Sequence, residues 1–172
     1  MLIYFTLYAF LGYLMESFYI SILQKKWISS GLLNGPFIPL YGIGAIALII
    51  FSPYLQNPFL AIVLGGIILT GIEYGASLYI EKVFQIRTWD YSKHRFNYQG
   101  RICFLYFLIW CGLSYLFIFN IHPYVRSFLQ INDFTLIISL IISTFILKSF
   151  IDKINKSKTI LKKGIIWFLY PK

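Results

Sequence analysis

Mostly apolar runs of about 20 residues recur along this chain, each long enough to cross the ~30 Å hydrocarbon core of a bilayer as a helix. Inside lipid only helices and closed barrels can satisfy their own backbone hydrogen bonds. A barrel would need ~10-residue strands that alternate in polarity, and these runs are continuous. Composition agrees. Of 172 residues, 59% are hydrophobic and 12% are charged, whereas soluble domains carry roughly 25% charged residues. The mean hydropathy is +0.74. The sequence therefore predicts an all-α, polytopic membrane bundle.

Five spans are expected, at about residues 2–23, 37–53, 58–80, 102–121 and 133–151. They would form one transmembrane domain over residues 1–151, followed by a basic tail over residues 152–172. The first run lacks a basic leader and a small-residue cleavage site, so it reads as a retained helix and not a secretory signal. Lys and Arg alternate between connections. Lys25 and Lys26 lie in the first, none in the second, and Lys82, Arg87, Lys93, Arg95 and Arg101 in the third. The fourth holds only Arg126, and the tail holds Lys153, Lys156, Lys158, Lys162, Lys163 and Lys172. This pattern puts the N-terminus outside and the tail in the cytoplasm. The closing run Gly164–Tyr170 is too short to span and reads as an interfacial anchor behind its lysines. These loops and the tail account for most of the +9 formal charge, so no nucleic-acid partner is expected. The lipid bilayer is the first partner. Cys103 and Cys111 would sit more than about 10 Å apart on one helix, too far for a disulfide.

Against this background three acids stand out. Glu16, Glu73 and Glu81 fall inside or at the rim of apolar runs, where an ionised carboxylate costs several kcal/mol unless it is paired, wet or functional. Glu16 precedes Gln24 by eight residues and Glu73 precedes Lys82 by nine. At ~1.5 Å per residue both lie roughly 12 Å below the cytoplasmic rim. Two helices thus carry an acid at matched depth, with small neighbours such as Gly12 and Gly71 that permit close approach. A purely structural pairing with a base would also explain such acids.

The stretch Asn34-Gly35-Pro36-Phe37-Ile38-Pro39-Leu40-Tyr41-Gly42 comes at the same end. Pro36 and Pro39 remove backbone donors and disfavour helix in the residue before each. An irregular or re-entrant entry to the second span is expected, and unwound backbone survives at that depth only within protein or beside a wet cavity. The third connection mixes Trp89, Asp90 and Tyr91 with Asn97, Gln99 and Arg101. Arg101, at the mouth of the fourth span, has the reach to meet a buried carboxylate. The candidate cluster comprises Glu16, Asn34, Pro36, Pro39, Tyr41, Glu73, Glu81, Asp90, Asn97 and Arg101.

Some chemistries are excluded. The chain has no G-x-x-x-x-G-K-[ST] and no H-E-x-x-H. His94 and His122 fall on opposite sides of the membrane in the expected topology, so neither a His-based metal site nor a Ser-His-Asp triad can form. No metal and no cofactor is expected, and no internal repeat of the inverted-transporter kind is visible.

An acid in the first span is followed in order by Leu33–Gly42, Glu73-Tyr74, Glu81, Trp89–Ser92 and Phe96–Cys103. This succession resembles the bacterial ABC-transporter type IV, or CmpB-like, family of small membrane proteins over about Tyr4 to Gly112. The resemblance implies a permease-like transport component in the bacterial cytoplasmic membrane. Lacking an ATPase of its own, it would need a separate ATP-binding protein and, with few spans, self-association. Two other readings stay open: a membrane-embedded enzyme acting on a lipid or lipid-linked substrate, and a non-catalytic accessory or scaffold subunit.

Loop charge makes the topology testable. Cysteines introduced at Gln56 and Ser157 should label with impermeant reagent from opposite faces of the membrane; labelling of both from one face would overturn the five-span arrangement.

Overall fold

The computed structural model describes residues 1–162, with side chains through Ser157. The expected anchor at Gly164–Tyr170 lies outside the described residues. Among the described residues the chain forms five helical bodies and one small hairpin. In order they are α1 (Leu2–Gln24), α2 (Pro39–Phe51), α3 (Pro58–Phe84), β1 (Asn97–Tyr98), β2 (Ile102–Cys103), α4 (Phe104–Leu116), α5 (His122–Phe128) and α6 (Asp133–Lys162). A π-helical turn, Phe117–Ile121, joins α4 to α5 into one continuous body. Pro123 comes two residues after it; having no backbone N–H, it could not continue a regular ladder.

Four bodies are long and apolar enough to cross a membrane: Leu2–Gln24, Pro58–Phe84, Phe104–Phe128 and Asp133–Ser157. In each, 17–28% of the most apolar window is buried inside the protein, so the greater part of these surfaces is left for lipid or for other chains. The second expected span differs. Its helix, α2, has 13 residues, about 20 Å at 1.5 Å per residue, and with the following turn it ends at Tyr54. The fifth span is longer than expected. Between Asp133 and Gly164 there is no Gly or Pro to stop it, so α6 runs through Lys162 and takes in the first part of the expected basic tail.

What replaces the missing part of the second span is extended chain. After α1, Lys25 adopts a left-handed conformation (φ 52°) and reverses direction. The chain then climbs back along α1. Ile28 N–H donates to Ser21 Oγ at 2.9 Å, Ser30 N–H to Ser17 Oγ at 3.0 Å, and Ile38 N–H to the Ala9 carbonyl at 3.0 Å. Ala9 lies fifteen residues before Gln24, or roughly 22 Å along the helix. The irregular entry expected at Asn34–Gly42 is therefore re-entrant, and α2 begins near mid-bundle with Pro39 in its first turn.

Small residues set the helix spacing. A Cβ on Gly12 would collide with the Tyr41 ring, and one on Gly42 would meet the Phe5 carbonyl oxygen at 2.7 Å, which locks α1 to α2. A Cβ on Gly65 would lie 2.6 Å from Ser114 Oγ, and one on Gly66 would lie 3.1 Å from the Cys111 Cα, which locks α3 to α4. Between these pairs sits the core of Leu48, Leu55, Ala61 and Ile118. The Ser114 hydroxyl, fully buried, donates to the Ala61 carbonyl across this contact at 2.7 Å.

Gly66→Ala should therefore cost about 1–3 kcal/mol, the usual range for an overpacked interface. Gly71, with open space around its Cα, should accept Ala neutrally or gain up to ~1 kcal/mol in helix propensity. Thermal unfolding in nonionic detergent reads both, and equal shifts would refute the close-packing account.

Candidate functional site

The third connection forms a structured cap over one end of the bundle. Asn97 pairs with Cys103 and Tyr98 with Ile102 in an antiparallel hairpin. Gln99 (φ 54°) and Gly100 (φ 67°) are both left-handed, as a type I′ turn requires. Asn97 organises this turn: its amide donates to the His94 carbonyl at 2.8 Å, and its oxygen accepts from Gly100 N–H at 3.0 Å. Gly100 cannot be replaced freely, since a Cβ there would lie 2.7 Å from Asp90 Oδ1. Asp90 accepts from Ser92 N–H at 3.0 Å and faces Arg87 at 3.8 Å. The Ser92 amide first, and the Arg87 charge after it, hold the Asp90 carboxyl below the usual range. Its contribution to the cap is thus present above the ordinary aspartate pKa and is lost as pH falls through the lowered value.

Arg101 fastens the cap to α3. Its guanidinium forms an ion pair with Glu81, donates to Ser77 Oγ at 3.2 Å and donates to Gln99 Oε1 at 3.2 Å. Arg87 approaches Glu81 at 3.7 Å from the other side. Trp89 Nε1–H closes the loop on the Arg101 carbonyl at 2.9 Å. Arg101 thus meets a carboxylate, but it is Glu81. Among the described residues neither Glu16 nor Glu73 forms an ion pair with it.

Below this rim lies a second tier. Glu73 is 4% exposed. Its Oε1 accepts from the Tyr91 hydroxyl and its Oε2 from Trp110 Nε1–H, each at 2.9 Å. Burial first, and the Glu73 charge second, push the Tyr91 hydroxyl above its usual range, which keeps it a donor. Tyr91 is stacked on Tyr106 with ring centroids 4.4 Å apart, so its position is fixed from both ends. Glu16 is half-buried and accepts from Ser30 Oγ at 2.5 Å. Tyr41 lines the same cavity as Glu73 and lies within electrostatic reach of both Glu16 and Glu73. Both acids thus lie near one tyrosine.

The remaining candidates are placed elsewhere. Asn34 is exposed and is tied by its backbone to Ser149 of α6, with N–H donating to Oγ at 2.8 Å. Pro36 is exposed in the re-entrant segment and Pro39 opens α2. Three contributors are absent from the expected cluster: Tyr91 and Trp110, which hold Glu73, and Ser30, which holds Glu16. Trp110 carries a readable signal. An indole N–H within an apolar run needs an acceptor, and Glu73 offers one.

A cavity of about 310 Å³ opens beside this tier. Tyr8, Leu11, Gly12 and Met15 line it from α1, and Leu40, Tyr41, Gly44, Ala45 and Leu48 from α2. Leu69, Ile72 and Glu73 contribute from α3, and Trp110, Leu113, Phe117 and Ile121 from the α4–α5 body. Glu73 is the one acid among these residues. Leu11, Met15 and Ile121 are also surface-exposed, so the cavity opens sideways toward the lipid-facing surface. At its far end the Tyr8 hydroxyl meets His122 Nδ1 at 3.0 Å.

Fold and site together define a multi-pass helical membrane protein with a capped, carboxylate-bearing polar tier. The chain belongs to the family described as "Putative ABC-transporter type IV", whose model matches residues 3–155 and so covers most of the last helix as well as the motifs of the first four spans. No curated protein and no solved structure matches it.

The two donors on Glu73 make a specific expectation. A hydrogen bond to a charged group contributes about 1.5–3 kcal/mol, so Tyr91→Phe and Trp110→Phe should each destabilise the protein by that order. In a Glu73→Gln background the same changes should cost clearly less. Equal costs in the two backgrounds, measured as a double-mutant cycle, would mean that the rings act by packing alone.

Proposed function

We propose that this chain is the permease-like subunit of a transporter in the bacterial cytoplasmic membrane, with the N-terminus outside and the cap in the cytoplasm. The substrate would meet the protein at the tier formed by Glu16, Tyr41 and Glu73. One observation carries this reading: Glu73 is buried, held by two neutral donors and unmatched by any cation among the described residues, and it borders a cavity. A carboxylate kept only for structure would be expected to have a basic partner, because a lone buried charge is costly. Membership of a transporter-type family points the same way.

The enzyme reading needs Arg101 to hold an anionic headgroup, and that guanidinium is engaged by Glu81, Ser77 and Gln99. The scaffold reading fits the rim, where acids and bases are matched, better than it fits the deeper tier. Nucleotide hydrolysis would come from a separate ATP-binding protein, and a second copy of the chain would supply the remaining helices.

Purification of the intact complex from its native membrane tests this reading. An ATP-binding protein should co-purify in fixed ratio. Glu16→Gln and Glu73→Gln should lower transport-dependent growth severalfold at normal membrane levels and near-normal thermal stability. Absence of an ATP-binding companion, or loss of stability in step with function, would sink it.

A further inference from the structure

The geometry points to an amphipathic monocation as the ligand of the cavity: an apolar body of drug-like size bearing one delocalised or quaternary positive charge, admitted from the lipid side. This deepens the permease reading and rests on it for the transport of the bound ligand, though not for binding itself.

Three features select this class. The first is charge. Trp110 Nε1–H can only donate, and Tyr91 donates to the other oxygen, so both carboxylate oxygens act as acceptors. Both partners are neutral and bring no positive charge to the carboxyl. A cation in the cavity would supply the partner that Arg101, committed to Glu81, does not. An anion would face Glu73 with no base to receive it.

The second feature is the nature of the walls. Apart from Glu73, the hydroxyls of Tyr8 and Tyr41 and the indole of Trp110, the lining is hydrocarbon. A strongly hydrated cation such as a metal ion or a polyamine would lose its water shell there and recover few oxygen ligands. A cation whose charge is sheathed in hydrocarbon or aromatic groups loses little. The tilted pair of Tyr41 and Trp110, with ring centroids 6.2 Å apart, adds π-faces beside the carboxylate, which favour such cations.

The third feature is access. The rim residues Leu11 and Met15 are exposed on the lipid-facing surface. The cap and the re-entrant segment cover the polar end, and Ser30 and Tyr91 fill the space around the acids. A ligand that partitions into the bilayer reaches the opening directly. At about 310 Å³ the cavity is at the small end of the range for drug-sized ligands.

Radiolabelled tetraphenylphosphonium and tetraphenylborate share a shape and differ in the sign of charge. Equilibrium dialysis against the purified full chain in dodecyl maltoside should give tetraphenylphosphonium at least tenfold tighter binding than tetraphenylborate. Glu73→Gln should weaken the cation at least tenfold, while Asp133→Asn, remote at the start of α6, should leave it unchanged. Lack of cation binding, equal or tighter binding of the borate, or wild-type affinity in the Glu73→Gln protein would each overturn the assignment. The ion comparison on the unaltered chain stands even where the variant does not fold. The ligand class and the permease role fail separately. Loss of growth in Glu73→Gln cells without tetraphenylphosphonium binding would discard the ligand class and keep the permease. Cation binding without an ATP-binding companion would discard the permease and keep the site.

Discussion

Within hydrocarbon a backbone N–H without an acceptor costs several kcal/mol, and the arrangement of this bundle depends on how that demand is met between Lys25 and Pro39. Extended chain cannot satisfy itself as a helix does. Here α1 provides acceptors on one face, Ser21, Ser17 and the Ala9 carbonyl, at successive heights. Ser149 provides another from α6. Serine suits the task because a helix tolerates it while its hydroxyl still accepts from a neighbouring strand. With the segment pinned this way, Ser30 is delivered to Glu16 and α2 starts deep enough to bring Tyr41 within electrostatic reach of both acids. The polar tier is a consequence of the re-entrant path.

The class of fold and the irregular entry were legible because they depend on local rules. Twenty apolar residues can hardly do anything but cross a bilayer, and two prolines three apart prevent a regular helix start. Other features were not legible, each for a physical reason. The length of α2 depends on how far extended chain can be supported by serines on other helices, which is a tertiary fact. The extension of α6 past Asp152 reflects an absence of breakers that outweighs the change in polarity. The hairpin at Asn97–Cys103 hangs on left-handed Gln99 and Gly100, and Gln at such a position sends no strong signal.

The partner of Arg101 is the most instructive difference. Sequence spacing left Glu16, Glu73 and Glu81 within range of its long side chain, and depth alone favoured the buried pair. The cap decides otherwise. Arg101 sits in the turn between β1 and β2, immediately above the last turns of α3, where Glu81 and Ser77 lie on one helix face four residues apart. At the rim the Glu81 side chain keeps 36% of its surface exposed, and a part-exposed pair loses less hydration than a buried one. Basic charge thus remains where solvation is cheap, and Glu73 is left to neutral donors.

The two tiers nonetheless act as one structure. Arg101 holds the hairpin on α3, and Trp89 binds the Arg101 carbonyl. Tyr91 N–H, two residues further on, donates to the Gly100 carbonyl at 2.7 Å. These contacts fix where Tyr91 enters the bundle, and its hydroxyl reaches Glu73 at 2.9 Å. The arginine therefore bears on the buried acid through the position of a tyrosine, while its own charge stays at the rim. A cap built this way covers Glu73 with a neutral donor and keeps its arginine apart from it. Among the described residues that line the apolar cavity beside Glu73, none belongs to the hairpin.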